Sequence, residues 1–200
     1  MKRMVLTFVL GAVVFAACGG DKKEAAKPVE PPAAVAKEEA PPEPPPPPAP
    51  KEASTTLEPT KKSNSKVTGT ITFKEVEGGV EVTANVENLK PGDHAYHVHE
   101  TGDCSAPDAT SAGGHFNPAG HKHGAPEGEE RHAGDFGNLT AGKDGKATKT
   151  FVMKGITLDD GEASIVGKAF IVHAKKDDFK TQPTGNAGDR VACGVIALTM

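Results

Sequence analysis

The segment Tyr96–Glu100 carries two histidines, His97 and His99, on either side of one valine. In a β-strand, residues two apart face the same side, so both imidazoles would point to one place. A single pair of this kind is also common among surface histidines, but more candidate ligands follow it. Together they predict one site that holds two metal ions. The further candidates are His115, His123, His132, Asp135 and His173.

The elements that would position these side chains are short strands. Several segments alternate polar and apolar residues or are rich in β-branched types, and glycine-containing turns separate them. No segment has a convincing amphipathic helix pattern, so the fold class is all-β, a β-sandwich or barrel. The candidate strands cover residues 67–73, 80–86, 96–99, 147–153, 169–173 and 191–199.

Residues 101–147 have little periodicity and many Gly, Asp, Asn, Pro and Ser residues. We interpret them as one long loop. A loop of this length inside a compact domain usually has a function or is disordered. Since this one holds His115, His123, His132 and Asp135, we expect bound metal to order it.

The start of the chain has the pattern of an export signal. Basic residues precede an apolar run over residues 4–17, which is short for a membrane span and typical of a signal-peptide core. Ala16 and Ala17 before Cys18 resemble a bacterial lipobox, in which cleavage precedes the cysteine and its thiol carries lipid. We therefore predict a signal peptide over residues 1–17 and a lipidated Cys18. The alternative is plain secretion after cleavage near Ala17.

Residues 18–65 have the composition of a tether. Most of the chain's 17 prolines lie here, including the run Pro44–Pro48, and large apolar residues are rare. Such a segment cannot bury enough surface to offset the entropy of ordering, and proline runs favour an extended polyproline II conformation. We predict a disordered spacer that holds a domain of residues 66–200 away from a membrane. Recognition of the prolines by a partner protein is the alternative.

The three cysteines predict one disulfide. If Cys18 carries lipid, Cys104 and Cys193 remain, and two remaining cysteines in an exported protein usually pair. The bridge would join the start of the long loop to the last strand. Two free thiols are the alternative, and a role as metal ligands is disfavoured because nitrogen and oxygen ligands suffice.

Charge excludes one class of partner. The chain has a formal net charge of −4, one tyrosine and no basic cluster in its domain, which argues against nucleic-acid binding. An acidic domain also repels anions on average, so an anionic substrate would need a local positive field.

Four motifs now occur together: His-Val-His-Glu at 97–100, Gly-Gly-His-Phe-Asn-Pro at 113–118, Arg-His-Ala-Gly-Asp at 131–135, and Gly-Asn-Ala-Gly-Asp-Arg-Val-Ala-Cys-Gly at 185–194. With these motifs, residues 66–200 resemble the copper/zinc superoxide dismutase family, in particular its bacterial periplasmic members. The resemblance implies an Ig-like Greek-key β-sandwich or flattened barrel with a long metal-binding loop.

The resemblance also assigns the candidate ligands to two metals, one copper and one zinc per chain. Four imidazoles suit Cu(II), and three imidazoles with one carboxylate suit tetrahedral zinc. One histidine belongs to both sets as a bridging imidazolate, which two dications make possible. By resemblance, the copper ligands are His97, His99, His115 and His173, and the zinc ligands are His115, His123, His132 and Asp135.

Asp177 is similar to the family's carboxylate that hydrogen-bonds one histidine of each metal. His97 and His123 would be its partners, and such outer contacts fix the tautomer and orientation of a ligand. Asp178, next in the chain, competes for this assignment, and a solvated loop charge is the alternative for either residue.

Arg190 resembles the arginine beside copper that draws superoxide in and holds it by hydrogen bonds. Together with the bridging His115, it is the implied catalytic residue. Two histidines remain outside the ligand sets: we expect His94 to hydrogen-bond backbone and His121 to be exposed.

The resemblance implies an enzyme, a superoxide dismutase that converts two superoxide anions and two protons into oxygen and hydrogen peroxide. Copper carries the redox change and zinc is structural. A copper-binding or copper-delivery lipoprotein on the same fold is the alternative, since fold does not determine function. A purely structural lipoprotein would not need the ligands.

The implied location is the periplasmic face of a bacterial membrane, reached through the lipid on Cys18. Gly19 is not the aspartate that retains some lipoproteins in the inner membrane, which favours the outer membrane. Superoxide is the implied partner, and the sequence leaves open whether the chain forms a homodimer.

Overall fold

The computed structural model describes residues 49–199, which lie in one compact unit. The predicted signal peptide, Cys18 and the run Pro44–Pro48 lie outside the described residues. Within residues 49–199, no helix is long and apolar enough to cross a membrane.

Strands form most of the regular structure of the described residues, and a single-turn 3-10 helix covers Thr110–Ala112. Buried and exposed residues alternate along several strands, as expected for a sheet with one face against a core. The strands are β1 (Glu52–Pro59), β2 (Thr68–Val76), β3 (Gly79–Glu87), β4 (Gly92–His99), β5 (Asp135–Ala141), β6 (Ala147–Met153), β7 (Ala169–His173), β8 (Arg190–Val195) and β9 (Ala197–Leu198).

The strands form one antiparallel sheet in the order β5-β4-β7-β8-β1-β2-β3-β6, with β9 beside β1. β3 pairs with β6, and β4 pairs with β5 and β7, so β3 and β4 are not neighbours although they are consecutive. The two ends of the sheet approach each other, since Lys149 Nζ on β6 donates a hydrogen bond of 3.1 Å to the Asn138 carbonyl on β5. This nearly closed barrel confirms the predicted all-β, flattened Greek-key fold.

Aromatic side chains fill part of the barrel. The ring of Tyr96 meets Phe136 and Phe151 edge-on, with centroids 6.1 Å apart in both pairs, and Phe170 lies 5.8 Å away. Aromatic rings favour such edge-to-face contacts over flat stacking. The cluster therefore joins β4, β5, β6 and β7 around one core.

β4 is buried on both faces between His94 and His99, and this double burial locates the site. Tyr96 and Val98 belong to the barrel core. Alternation along the strand therefore turns His97 and His99 to the other face, where the long connection after β4 covers them.

The barrel begins before the predicted boundary at residue 66, and the sequence prediction was wrong there. β1 covers Glu52–Pro59 and pairs with both β2 and β8. Ala53, Thr55 and Leu57 are buried in alternation. Because Leu57 is the only large apolar residue of this strand, its composition resembled that of the tether. The predicted boundary between tether and domain therefore moves from residue 66 to before residue 52.

A strand also lies inside segment 101–147, where the sequence predicted a continuous loop. β5 covers Asp135–Ala141, with Phe136 and Leu139 buried in the core. Gly137 and Asn138 weaken the strand pattern, because both residue types are depleted in strands. Asp135 is thus placed by a strand, whereas the connection that precedes it spans residues 100–134.

Candidate metal centre

Two neighbouring strands position three of the candidate ligands. β4 and β7 pair antiparallel, with His97 opposite Ile171 and His99 opposite Ala169. His173, the last residue of β7, lies on the same side, and its ring centroid is 5.0 Å from that of His97 and 5.6 Å from that of His99. These three imidazoles are fixed by sheet hydrogen bonds.

The long connection brings the fourth imidazole to the strands by pairing with β4. Phe116 N donates to Val98 O at 2.8 Å, and Glu100 N donates to Gly114 O at 3.0 Å. His115 lies between these two hydrogen bonds, and its ring centroid is 4.0 Å from that of His97. An irregular loop therefore holds a ligand as a short strand would.

The structure brings all seven predicted ligands together in two groups that share His115. Within each group, one ligand atom per residue lies within 4.8 Å of the others, and every member is buried. The first group, called copper-type below, consists of His97, His99, His115 and His173. The second group, called zinc-type below, consists of His115, His123, His132 and Asp135.

The nitrogens that face the two centres fit metal ligation. Burial of a polar atom without a partner costs free energy, so a cluster of such atoms indicates a missing ligand. Six buried ring nitrogens of the two groups have no hydrogen-bond partner among the described residues, and each member of the copper-type group contributes one of them. The atoms are His97 Nδ1, His99 Nε2, His115 Nε2, His173 Nε2, His123 Nδ1 and His132 Nδ1.

The opposite ring nitrogens in the first group are held by protein oxygens. His99 Nδ1 lies 2.9 Å from Gly113 O, and His173 Nδ1 lies 3.3 Å from Gly188 O. A ring whose outer N–H donates to a carbonyl presents its unprotonated nitrogen to the centre. His99 and His173 therefore each present an unprotonated Nε2 to the first group.

In the second group, three Nδ1 atoms surround one carboxylate oxygen. Asp135 Oδ1 lies 2.8 Å from Nδ1 of His115, 2.9 Å from that of His123 and 3.3 Å from that of His132. The other oxygen, Oδ2, accepts hydrogen bonds from the backbone N–H groups of Gly124 and His132. Three nitrogens and one oxygen match a closed zinc site.

His115 presents one nitrogen to each group. Its Nδ1 faces Asp135 and its Nε2 is the unpartnered atom in the first group. One imidazole can therefore contact both centres, as the predicted bridge requires.

The pKa values of the buried histidines shift in two directions. Burial lowers the pKa of His115 to about 4 and holds the pKa values of His99 and His173 well below the ordinary value. Burial also opposes the charge on His123, but the carboxylates of Asp135 and Asp177, 2.9 Å from its Nδ1 and Nε2, raise the pKa of His123 to about 9. His99, His115 and His173 are thus neutral, and the His123 ring is stabilised as a cation beside two carboxylates in the metal-free chain.

Asp177 has the contacts that the sequence predicted. Its Oδ2 lies 2.9 Å from His97 Nε2, and its Oδ1 lies 2.9 Å from His123 Nε2. Asp178, the competing candidate, instead accepts hydrogen bonds from the backbone of Lys180 and Thr181. One carboxylate therefore orients a histidine of each group.

Arg190 lies at the start of β8 beside the first group. Its guanidinium donates to the carbonyls of Ala109 and Gly113, at 2.5 and 2.6 Å. Gly113 O also lies 2.9 Å from His99 Nδ1, so the arginine and one copper-type ligand share an oxygen. The Arg190 backbone carbonyl accepts a hydrogen bond from Thr60 Oγ1.

A cavity of about 370 Å³ opens next to Arg190. Lys62, from the turn after β1, lines it and forms an ion pair with Asp108, with Nζ and Oδ2 3.0 Å apart. Asp189 lines the same cavity. The cavity is therefore lined by two cationic and two anionic side chains, and its net field depends on their balance.

The two remaining histidines lie where the sequence predicted. His94 is buried, and its ring nitrogens lie 2.9 and 2.8 Å from the carbonyls of His173 and Lys90. His121 is exposed. Neither belongs to a ligand group.

Three supporting residues were missed by sequence reasoning. The Asn138 amide makes two hydrogen bonds with the Asp177 backbone, Gln182 makes two with the His123 backbone, and Arg131 donates to the His132 carbonyl. The Asn138 and Gln182 contacts join residues 39 and 59 positions apart, and no sequence pattern directs the Arg131 side chain to the carbonyl of its neighbour, so a single sequence carried no signal for these roles.

The predicted disulfide between Cys104 and Cys193 is present, with Cα atoms 5.9 Å apart. It joins the start of the long connection to β8, three residues from Arg190. The crosslink therefore attaches the connection that carries His115 to the strand that carries the arginine.

Comparison with known proteins agrees with this architecture. A family model described as copper/zinc superoxide dismutase matches residues 67–196. A solved structure titled "Crystal Structure Analysis of the clock protein EA4" is similar, with 38% sequence identity and a TM-score of 0.68, and the match covers 76% of this chain and 96% of that one. The chain belongs to the copper/zinc superoxide dismutase family.

Proposed function

We propose that this protein is a superoxide dismutase with one copper and one zinc per chain. The observation that carries the proposal is the pair of buried ligand groups joined by His115, with Arg190 hydrogen-bonded to the oxygen that also holds His99. A site built only to store metal needs no arginine beside its ligands. His97, His99, His115 and His173 would hold the copper, and His115, His123, His132 and Asp135 the zinc.

When bound, copper supplies the redox chemistry, alternately oxidising one superoxide to oxygen and reducing the next to hydrogen peroxide. The chain supplies geometry, charge and a proton. Arg190 binds the anion through guanidinium N–H groups. His115 would hold one proton at Nε2 when that nitrogen is free and donate it to the peroxide, and water would supply the second proton. The sheet keeps His97, His99 and His173 in place throughout, which suits electron transfer.

The test is the rate of superoxide dismutation by the purified chain loaded with copper and zinc, with metal content measured on the same sample. We expect fast, copper-dependent turnover at one copper and one zinc per chain. The test is needed because the similar solved structure is titled as a clock protein, so likeness of fold and sequence does not by itself establish turnover. If both metals bind but turnover is negligible, the chain is instead a copper-binding or copper-delivery protein.

We further propose that the protein is an exported lipoprotein, attached through Cys18 to the periplasmic face of a bacterial membrane, with the outer membrane favoured. The apolar run over residues 4–17 and the small residues before Cys18 support this location. Mass spectrometry of the mature protein should find a diacylated N-terminal cysteine. The Cys18→Ala variant should lose the lipid and leave the membrane fraction; an unmodified wild-type N-terminus near residue 18 would indicate plain secretion.

A further inference from the structure

The connection between β7 and β8 holds the zinc-type ligand His123 by its backbone. His123 N donates to Gln182 Oε1 at 2.9 Å, and Gln182 Nε2 donates to His123 O at 2.9 Å. Among the described residues, these are the only hydrogen bonds of the His123 backbone. The two residues are 59 positions apart, so this pair joins two separate loops.

The same connection also holds the ring of His123. Asp177 Oδ1 lies 2.9 Å from His123 Nε2, and the Asp177 backbone is itself fixed to β5 by two hydrogen bonds with the Asn138 amide. Gly185 packs against the Asp177 carboxylate and leaves no room for a side chain, because a Cβ there would lie 1.9 Å from Asp177 Oδ1. Segment 177–185 thus surrounds one metal ligand from the ring side and from the backbone side.

The chemistry at position 182 requires both an acceptor and a donor. A glutamine amide satisfies the His123 N–H and the His123 carbonyl together. Glutamate would place a second oxygen against that carbonyl, and methionine has a similar shape without either strong hydrogen bond. The contact is therefore specific to the amide and can be removed with little change in volume.

We propose that Gln182 is a positioning residue that couples metal occupancy of the His123 group to the conformation of segment 177–185. Zinc bound by His123 favours the docked segment, and the docked segment holds His123 where zinc binds it; such coupling is reciprocal. This inference rests on zinc occupying that group, as the proposed function states.

The chain contains a matched control in Asn117. Its side-chain amide makes the same reciprocal pair with the backbone of His121, at 2.8 and 3.0 Å. That pair is local, spans four residues and supports an exposed histidine outside both ligand groups. The effect of losing two amide hydrogen bonds can thus be compared at His123, a candidate metal ligand, and at His121, which belongs to neither ligand group.

The experiment compares wild type, Gln182→Met and Asn117→Leu in the full chain. Zinc affinity is measured by competition with a chelator, and copper retention is measured in the same sample. Removing contacts that orient metal ligands commonly weakens metal affinity by about 10- to 100-fold; we expect about 10-fold for zinc in Gln182→Met, with little change for copper and a smaller change for zinc in Asn117→Leu.

Trypsin cleavage after Lys180, an exposed residue of the same segment, reports the coupling independently of turnover. In wild type, zinc should slow this cleavage. In Gln182→Met, cleavage should stay fast with saturating zinc, whereas Asn117→Leu should behave as wild type.

The outcomes separate the two levels of the proposal. Equal zinc affinities and equal zinc protection at Lys180 in wild type and Gln182→Met would overturn the role of Gln182. A wild-type chain that binds no zinc would overturn this inference and the proposed function together. Normal zinc effects in a chain without dismutase turnover would overturn only the function.

Discussion

The two ligand groups are built in different ways. Three of the copper-type ligands, His97, His99 and His173, lie on adjacent strands, and sheet hydrogen bonds fix their backbones. In the zinc-type group, His123 and His132 lie in the irregular connection of residues 100–134, and side-chain contacts from Gln182 and Arg131 hold them. A rigid sheet suits a metal that changes redox state, whereas a metal that closes a loop contributes folding free energy.

Removing a strand ligand should have the largest effect. His99→Ala takes one nitrogen from the copper-type group and leaves the zinc-type group complete. We expect copper affinity and turnover to fall by about 10³-fold or more, since no other side chain in the described site can replace the imidazole. Metal analysis should find zinc retained. His121→Ala, an exposed histidine outside both groups, is the control; loss of zinc together with copper would contradict the separation of the groups.

Removing Arg190 should lower turnover without metal loss. Arg190→Ala takes away the cation beside the copper-type group but no ligand, so kcat/KM for superoxide should fall by about 10- to 100-fold. Arg190→Lys keeps the charge and loses the forked geometry, and should lie between wild type and alanine. Normal turnover in Arg190→Ala would remove the proposed role of this residue.

Removing a loop ligand should disorder the connection while sparing the sheet. His132→Ala should lose zinc and increase the rate of trypsin cleavage after Lys122 by about 10-fold, because zinc no longer ties the loop to Asp135. His121→Ala is again the control. Unchanged protease resistance in His132→Ala would show that the connection is ordered without metal.

In the metal-free chain, the pH response of His99, His115 and His173 should be opposite to that of His123. For His99, His115 and His173, the folded pKa lies below the unfolded value of about 6.5, so the unfolded chain binds more protons and stability falls as pH drops from about 6.5 toward 4. His115 alone would account for up to about 3 kcal/mol. For His123, with a pKa raised to about 9, the extra stability is complete below about pH 6.5 and is lost as pH rises through 9.

Urea unfolding of the metal-free chain between pH 4.5 and pH 9.5 checks this prediction. We expect maximal stability near neutral pH and a decline on both sides. A stability curve that rises steadily toward either end would contradict the opposite charge states of His123 and of the other three rings. Bound metals should extend the stable range to lower pH, because they compete with protons for the same nitrogens.

The smallest effect should come from the charged side chains that line the cavity beside Arg190. Lys62→Gln removes an exposed cation of the cavity beside Arg190, so kcat/KM should fall by about two-fold at low ionic strength and be unchanged in high salt. Lys74→Gln is the matched control: Lys74 forms an exposed ion pair with Glu52, also at 3.0 Å, at the far end of β1. Equal losses in both variants would indicate a general charge effect.

The sequence was sufficient for the fold class, the disulfide and the seven candidate ligands that the fold brings together, because these depend on residue type and order. Period-two alternation predicts which side of β4 carries His97 and His99. The four motifs are long and ordered enough to relate the chain to a family. Composition gave the wrong prediction at β1 and β5. These strands contain small or polar residues, and pairing with neighbouring strands orders them.

Only the tertiary structure decided which nitrogen of each histidine faces a centre and what holds the loop ligands. Gln182 and Asn138 act through hydrogen bonds to the backbone of residues 59 and 39 positions away, and Arg131 joins the carbonyl of its neighbour His132 to that of Lys154. Any exposed polar residue could make such a bond in another fold. The sequence by itself determined the seven candidate ligands and the strands that carry His97, His99 and His173. Their orientation was decided only in the folded chain, because it depends on contacts between loops that are remote in sequence.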